Sequence, residues 1–275
     1  MGSSKRVRFM LRGLFLVVLS ALMIAPATAG AARNAVGVAW NVSPDYAQTG
    51  AAPSTTQAVS APEVQRAVEQ RLRDSLTPEM LGNFGLFIYV SKAQVGPWAQ
   101  RMYVFQKAGD DLLLLYDWPV STGRETVEAD AQGVELSTTT PAGYYEIDPK
   151  RMFEKYRSTQ WNEPMPDAMF FNRMDHGVLT GLAIHAAADA SQLGTRASAG
   201  CVRLLPDNAQ MLFRMVRDNF KGPVPKLAFD KYTSTTMNNG LLVHGETGGL
   251  EMVPGYSALV YIDEYGGENL EARAY

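Results

Sequence analysis

Short apolar runs separated by turns dominate the chain from Phe84 onward, and they constrain its fold more than any other feature of the sequence. The runs are rich in aromatic and β-branched residues, the composition typical of strands. Val95-Gly96-Pro97 and Gly109-Asp110-Asp111 separate them as turns. The pattern therefore predicts strands at residues 84–90, 102–105, 112–120, 143–147, 181–185 and 224–229.

Two segments, residues 62–76 and 206–220, have the apolar periodicity of amphipathic helices. Pro206 sits at the favoured first turn of the second segment, and Gly222-Pro223 ends it. We expect each helix to bury one face: Val64, Ala67, Val68 and Leu72 in the first, and Ala209, Leu212, Met215 and Val216 in the second.

A C-terminal extension, residues 231–275, contains two further apolar runs at 241–245 and 258–262, joined by loops with glycine and proline. Two such runs are typical of strands. We expect them to form a β-hairpin packed on the main domain.

The first 29 residues have the three parts of a secretory signal peptide. Four basic residues with no acid among them precede an apolar run at 14–25, and Ala27-Thr28-Ala29 supplies a small-residue cleavage site. Cleavage would leave an exported chain that begins near Gly30, with residues 30–60 as a linker or arm. An uncleaved membrane anchor is the alternative, although the run is shorter than the ~20 residues of a span. The basic residues are Lys5, Arg6, Arg8 and Arg12.

Composition excludes several classes of protein. Loss of the four basic residues with the signal peptide takes the formal charge from −3 to −7, and an acidic chain is a poor candidate for binding nucleic acid. A hydrophobic content of 46% and a charged content of 19% are those of a globular protein, not a disordered one. No later stretch is apolar enough to span a bilayer, so we expect no integral membrane span in the mature form.

Cys201 is the only cysteine in the chain, so it has no partner for an internal disulfide. In an oxidising compartment a lone thiol is prone to oxidation or intermolecular pairing, which makes a reactive role worth testing. His185, one of three histidines, lies sixteen positions upstream. A thiol and an imidazole can carry out acyl transfer through a thioester. Taken alone, each of the two residue types is more often structural than catalytic.

The residues around Cys201 favour the reactive role. Gly200 allows a sharp turn and a close approach of substrate, and the backbone N–H groups of Gly200 and Cys201 are candidates for an oxyanion hole. Ser198 and Arg203 flank the thiol with a hydroxyl and a cation, and a nearby cation favours the thiolate.

The stretch from His185 to Ser198-Ala199-Gly200-Cys201-Val202-Arg203-Leu204 resembles the signature of the L,D-transpeptidase (YkuD-type) catalytic domain. That signature is a histidine, some fourteen to seventeen residues, Ser/Thr-His-Gly-Cys, an apolar residue, and Asn or Arg. Upstream, Pro119-Val120-Ser121-Thr122-Gly123, Thr140-Pro141-Ala142-Gly143-Tyr144-Tyr145 and Met165-Pro166-Asp167-Ala168-Met169-Phe170-Phe171 are similar to further ordered motifs of the family. The resemblance covers roughly residues 84–229.

The resemblance implies a mainly β, β-sandwich-like catalytic domain with few helices, at residues 84–230, preceded by a helical segment at 61–83. It implies that Cys201 is the nucleophile and His185 the base, and that the carbonyl of Ala186 orients the imidazole. Ser198 and Arg203 would contact the substrate, Arg203 through its fork of donors or by holding the thiol and its loop.

Peptidoglycan stem peptides are the substrates that the resemblance implies. Cys201 would attack the L-centre carbonyl of meso-diaminopimelate in a tetrapeptide and release D-alanine. A diaminopimelate amine, a lipoprotein lysine or water would accept the acyl group, and carbapenems would act as covalent inhibitors. The protein would be periplasmic or cell-wall-associated and would need no cofactor.

Two positions depart from the family's pattern. Ala199 stands where the family usually has histidine, which removes a hydrogen-bonding group beside the nucleophile. Ala186 stands where glycine is common, and its Cβ narrows the cleft or merely fills space.

Rival interpretations remain open at this point. The strongest is a peptidoglycan-binding module of the same fold whose catalysis is impaired by Ala199. A purely structural exported domain would require the ordered motifs to be accidental. His176 and His244 are expected to be structural or exposed, and the three dispersed histidines show no ligand spacing typical of zinc, so no metal site is expected.

Overall fold

The computed structural model describes residues 61–264. The predicted signal peptide (1–29) and linker (30–60), and the end of the C-terminal extension, lie outside the described residues. None of the helices within residues 61–264 is long and apolar enough to cross a bilayer. The domain boundaries expected from the sequence stay predictions.

Three helices and sixteen strands make up the regular structure of residues 61–264, with a 3-10 turn at Ala190–Gln192. In chain order they are α1 (Pro62–Ser75), α2 (Pro78–Asn83), β1 (Leu86–Ser91), β2 (Arg101–Ala108), β3 (Asp111–Pro119), β4 (Val127–Ala129), β5 (Glu135–Ser137), β6 (Gly143–Phe153), β7 (Ala168–Phe171), β8 (Met174–Asp175), β9 (Val178–Leu179), β10 (Ala183–Ala186), β11 (Val202–Leu204), α3 (Pro206–Asn219), β12 (Lys221–Pro225), β13 (Phe229–Asp230), β14 (Thr235–Thr236), β15 (Met252–Tyr256) and β16 (Ala258–Asp263).

Eight strands form the main sheet, in the order β11-β10-β7-β6-β16-β1-β2-β3. Neighbours are antiparallel except for the pairs β1/β16 and β10/β11, which are parallel. The remaining strands form the two-stranded pairs β4–β5, β8–β9, β12–β15 and β13–β14.

The main sheet curls until its two edges meet. β6 pairs with β16 near its start and with β7 further along, and the register shifts between Ile147 and Met152, as it does where a bulge bends a strand. Ser121, just after β3, and Arg203, in β11, exchange two backbone hydrogen bonds of 3.1 and 2.9 Å. The resulting facing layers confirm a mainly β, sandwich-like domain with few helices.

Strand β1 shows how the curled sheet is packed on both faces. All six of its side chains are buried, and because successive side chains point to opposite faces, they divide between two cores. Ile88 and Val90 belong to an interior core that α3 closes. Phe87 and Tyr89 belong to a second core that α1 and α2 cover from outside. The sheet is therefore packed against α3 on one face and against α1 and α2 on the other.

The two predicted helices are confirmed to within one residue at their C-terminal ends. Val68 and Leu72 of α1 are buried, whereas Val64 and Ala67 pack against the core while partly exposed. The predicted buried face of α3 is fully buried; it comprises Ala209, Leu212, Met215 and Val216.

The C-terminal extension differs from the expected hairpin. β16 lies in the middle of the main sheet, parallel to β1 and antiparallel to β6, whereas β15 pairs with β12. Residues 241–245 form only isolated bridges, at Leu242 and His244. The physical reason is burial: five of the six β16 side chains are buried, so the strand needs neighbours on both sides. The single strand predicted at residues 224–229 is not continuous. β12 ends at Pro225, and a separate short strand, β13, starts at Phe229.

Candidate active site

His185 and Cys201 lie on neighbouring strands. β10 carries His185, and Cys201 immediately precedes β11. The two strands are parallel, with Ile184 opposite Val202 and His185 opposite Arg203. Parallel neighbours require a crossover connection, which residues 187–201 provide. Two side chains sixteen positions apart in the chain are thereby brought to one place in the fold.

The ring of His185 is oriented by a carbonyl. Its Nδ1 lies 2.8 Å from the carbonyl oxygen of Ala186. A carbonyl can only accept, so Nδ1 carries the hydrogen, and in the neutral ring Nε2 keeps the lone pair. The predicted orienting contact with Ala186 is therefore present, and Nε2 is the ring atom able to take a proton.

Burial decides the charge state of this histidine. His185 is only 3% exposed, and burial lowers its pKa to about 4, with the cation of Arg203 acting in the same direction and the Ala186 carbonyl opposing it. At neutral pH the imidazole is uncharged and can act as a base.

The thiol of Cys201 is also neutral at rest. Its Sγ lies 3.5 Å from the carbonyl oxygen of Gly181. Burial raises the pKa of Cys201 to about 11, although the backbone of Ala183 and the cation of Arg203 lower it in part. A neutral thiol and a neutral imidazole in the wall of one cavity favour general-base activation during attack over a preformed thiolate–imidazolium pair.

Ser198 ties down the loop that carries the thiol. Its Oγ donates to the carbonyl oxygen of Cys201 at 2.5 Å and accepts from the N–H of Gly200 at 3.1 Å. The residue is fully buried and its hydroxyl is used within the loop, so its assignment to substrate binding stays a prediction.

The N–H of Gly200, a predicted oxyanion donor, already has a partner within the loop. The Gly200 N–H donates to Ser198 Oγ, while its carbonyl accepts from Thr140 Oγ1 at 2.7 Å. Within the described residues, the N–H of Cys201 donates no hydrogen bond, so it is the backbone donor still able to bind an oxyanion. Gly200 is required sterically instead, because its φ is +113° and a Cβ would lie 3.0 Å from the Thr139 carbonyl.

Arg203 is engaged by neighbouring side chains. It is 9% exposed, and its Nη2 binds the carboxylate of Glu163 at 2.5 Å while Nη1 lies 3.3 Å from Gln192 Oε1. The fork that was expected to meet a substrate is therefore partly occupied. Its charge still acts on His185 and Cys201, as their pKa values show.

His185, Cys201 and Arg203 line one cavity of about 460 Å³. This volume is within the range of ligand-binding pockets. His185, Ala199, Cys201 and Arg203 form one wall. The other walls come from residues 136–141, 158–165 and 173–182, which include the β8–β9 hairpin.

A family model, described as the L,D-transpeptidase catalytic domain (YkuD), matches residues 88–226, about half of the chain. The chain belongs to this family. None of the curated proteins compared with the chain matches it.

Three solved structures illustrate the likeness. An L,D-transpeptidase from Stackebrandtia nassauensis is 19% identical over 56% of this chain and 62% of its own length, with a TM-score of 0.35. One from Xylanimonas cellulosilytica (residues 123–326) is 16% identical over 78% and 99%, with a TM-score of 0.36. L,D-transpeptidase 3 from Mycobacterium tuberculosis, in complex with a faropenem-derived adduct, is 15% identical over 66% and 61%, with a TM-score of 0.34. The chain thus spans less than two thirds of the first and third.

The two departures from the family's pattern lie in different places. Ala199 is partly exposed and lines the cavity, so the missing histidine would have stood at the wall beside the thiol. Ala186 is 1% exposed and is absent from the cavity wall. Its Cβ fills buried space and does not narrow the cleft.

The other two histidines do not line the cavity. His176 is at the turn of the β8–β9 hairpin, with its side chain 81% exposed. The His244 ring, also exposed, lies 2.8 Å from the Glu79 carboxylate, which raises the pKa of His244. Both match the expected structural or exposed role.

Sequence reasoning missed several residues of the site. Thr140 holds the Gly200 carbonyl, Glu163 pairs with Arg203, and Arg173 and Thr180 line the cavity. Thr140 could have been found, because it opens one of the recognised family motifs. The others carry no local signal, since their roles depend on which distant segments the fold brings to the cavity.

Proposed function

We propose that this protein is an exported cysteine L,D-transpeptidase that acts on peptidoglycan tetrapeptide stems. One observation carries the proposal: the Cys201 thiol and an imidazole whose Nδ1 is committed to a carbonyl line the same cavity. Membership of the family supplies the substrate class.

In the proposed reaction, Cys201 Sγ attacks the L-centre carbonyl of diaminopimelate while its proton passes to His185 Nε2. The Cys201 N–H stabilises the oxyanion of the tetrahedral intermediate. Collapse breaks the bond to D-alanine, whose nitrogen takes the proton back from the imidazolium. A thioester on Cys201 remains.

The thioester is then transferred. An amine of a second diaminopimelate gives a 3→3 cross-link, a lipoprotein lysine gives an anchored protein, and water gives L,D-carboxypeptidase activity. In each case His185 takes a proton from the incoming nucleophile and returns it to the sulfur as the thioester breaks. We propose a periplasmic or cell-wall-associated location, reached through a cleaved signal peptide at residues 1–29.

The decisive experiment incubates the purified protein with a disaccharide-tetrapeptide and follows products by mass spectrometry, with Cys201→Ala in parallel. A cross-linked dimer with loss of D-alanine is the expected product, and a tripeptide alone indicates transfer to water. Wild-type turnover by Cys201→Ala would refute the mechanism. Binding without turnover by the unaltered protein would instead support the impaired binding module, with Ala199→His as the variant that restores activity.

A second test uses a carbapenem as an acylating probe. A nucleophilic thiol in an acyl-transfer site is expected to open the β-lactam ring and gain the full mass of the inhibitor. Intact-mass spectrometry should show one adduct on the unaltered protein and none on Cys201→Ala. An unmodified mass after prolonged incubation would count against the assignment.

A further inference from the structure

Two polar side-chain atoms in the wall of the cavity have no partner within the described residues. They are Arg173 Nη1 and Thr180 Oγ1, both buried and without a hydrogen bond. Both residues line the cavity that contains Cys201. A buried polar atom without a partner costs free energy, and because these two belong to side chains that line one cavity, a ligand bound there is placed to supply the partner.

The backbone holds these two residues side by side. Thr180 N–H donates to the Arg173 carbonyl at 2.9 Å, where the chain enters and leaves the β8–β9 hairpin. The Thr180 carbonyl in turn accepts from Arg151 Nη1 at 2.8 Å. Hydroxyl and guanidinium are thus carried on one hydrogen-bonded unit, which suits them to binding a single ligand group.

Arg173 differs from the other arginine of the cavity. Arg203 is ion-paired with Glu163, whereas Nη1 of Arg173 has no hydrogen-bond partner within residues 61–264. Its guanidinium lies over the ring of Tyr145, 5.8 Å from the centroid. Such a contact orients the guanidinium and leaves its N–H groups available.

The remaining carboxylate near Arg173 in the cavity wall is Asp175, and it is directed elsewhere. Its side chain is 52% exposed, lies 3.9 Å from the ring of His176 and accepts from Thr235 Oγ1 at 3.5 Å. The charge of Arg173 is therefore left for a ligand.

Thr180 also precedes Gly181, the residue that contacts the thiol of Cys201. Gly181, the following residue, places its carbonyl oxygen 3.5 Å from Cys201 Sγ, and consecutive Cα atoms are only about 3.8 Å apart. A ligand group held at Thr180 would be close to the acyl centre that the thiol attacks.

We propose that Arg173 and Thr180 form a carboxylate-binding subsite that positions the donor peptide. This inference rests on the proposed function, which it deepens by naming the group that is recognised. A guanidinium fork and a hydroxyl match a carboxylate in charge and geometry. A donor tetrapeptide offers two such groups: the terminal carboxylate of D-alanine and the side-chain carboxylate of diaminopimelate.

The test measures binding separately from turnover. In a Cys201→Ala background, calorimetry compares the tetrapeptide with two analogues, one amidated at the terminal carboxylate and one at the diaminopimelate carboxylate. Arg173→Gln is expected to weaken binding of the tetrapeptide about 10- to 100-fold. The analogue that lacks the recognised carboxylate should bind weakly to both proteins, with no further loss from Arg173→Gln, and this identifies the carboxylate.

Three further variants make the result specific. Arg173→Lys keeps the charge and should recover part of the affinity, Thr180→Val should weaken binding severalfold, and Arg217→Gln, outside the cavity, should leave it unchanged. Thermal unfolding confirms that each variant is folded. Equal losses for the tetrapeptide and both analogues, or a tetrapeptide that binds no better than they do, overturn the subsite.

The subsite and the proposed function can fail independently. Arg173-dependent binding without turnover by the unaltered protein would retain the subsite and reject the transpeptidase. Turnover by the unaltered protein, with the same KM and kcat in Arg173→Gln, would retain the transpeptidase and reject the subsite.

Discussion

The two walls of the cavity satisfy their polar groups in different ways. On the wall that carries Cys201, His185 Nδ1 binds a backbone carbonyl, Ser198 bonds within its own loop, and Arg203 has Glu163. On the hairpin wall, Arg173 Nη1 and Thr180 Oγ1 have no partner in the described residues. The polar groups of the first wall are therefore satisfied by folding alone, whereas the second wall retains two unpartnered groups, which we propose a ligand satisfies.

The largest expected effect comes from removing the base of the first wall. His185→Ala is expected to lower the rate of Cys201 acylation by roughly 10²- to 10⁴-fold, since it removes the imidazole that lines the cavity with the thiol. Stopped-flow acylation by a carbapenem measures this rate. His176→Ala is the matched control, because the His176 side chain is 81% exposed at the hairpin turn; equal losses in both variants would mean that the base is misassigned.

The neutral state of His185 also predicts a dependence of stability on pH. Its pKa is about 4 in the folded protein against about 6.5 in an unfolded chain, so between these values the unfolded state binds more protons. Stability from this group is complete above pH 6.5 and is lost as the pH falls towards 4, by roughly 2–3 kcal/mol.

Chemical denaturation at pH 7.5 and pH 4 tests that linkage, with His185→Gln as the reference. The variant lacks the titrating ring, so the difference in free energy of unfolding between wild type and variant should narrow by that amount at the lower pH. A constant difference would show that folding leaves the pKa of His185 unshifted, and a difference that widens at pH 4 would show a raised pKa, as in a preformed ion pair.

The backbone conformation at Gly200, in the loop that carries Cys201, gives the next test of the comparison. Gly200→Ala is expected to destabilise the protein by about 2 kcal/mol and to lower activity, because the new Cβ would lie 3.0 Å from the Thr139 carbonyl at a φ of +113°. Gly133→Ala is the control: φ is +81° there and nothing lies within 4 Å. We expect the control to cost about 1 kcal/mol without loss of activity, and equal effects would remove the steric argument.

Local patterns account for the parts of the fold that could be predicted from the sequence. The apolar stripes of α1 and α3 are local features, and their helices appear where expected. The place of β16 could not be predicted in the same way, because its parallel partner β1 lies some 170 residues earlier in the chain. The apolar run predicts a strand, but only the packing of the whole sheet determines its neighbours.

The same distinction holds for the site. His185 and Cys201 could be found because spacing and flanking motifs are sequence properties. The inward direction of Ser198 and the use of the Gly200 N–H could not, since they depend on how the loop closes on itself. Arg173 and Thr180 were invisible for a related reason: what marks them is the absence of a partner within the described residues, and partners are known only once the chain is folded.

The smallest effects sharpen the comparison most, because the same change, Thr→Val, is expected to alter stability with opposite signs at Thr180 and at Thr140, which holds the loop of Cys201. Thr180→Val replaces a buried hydroxyl that has no partner in the described residues, so it is expected to raise the free energy of unfolding by about 1 kcal/mol. Thr140→Val removes a hydroxyl that donates to the Gly200 carbonyl and accepts from the Gly123 N–H, both at 2.7 Å. That loss should lower stability by about 1–3 kcal/mol. Denaturant titration of both variants measures the two signs, and a destabilising Thr180→Val would mean that the protein itself satisfies the hairpin wall.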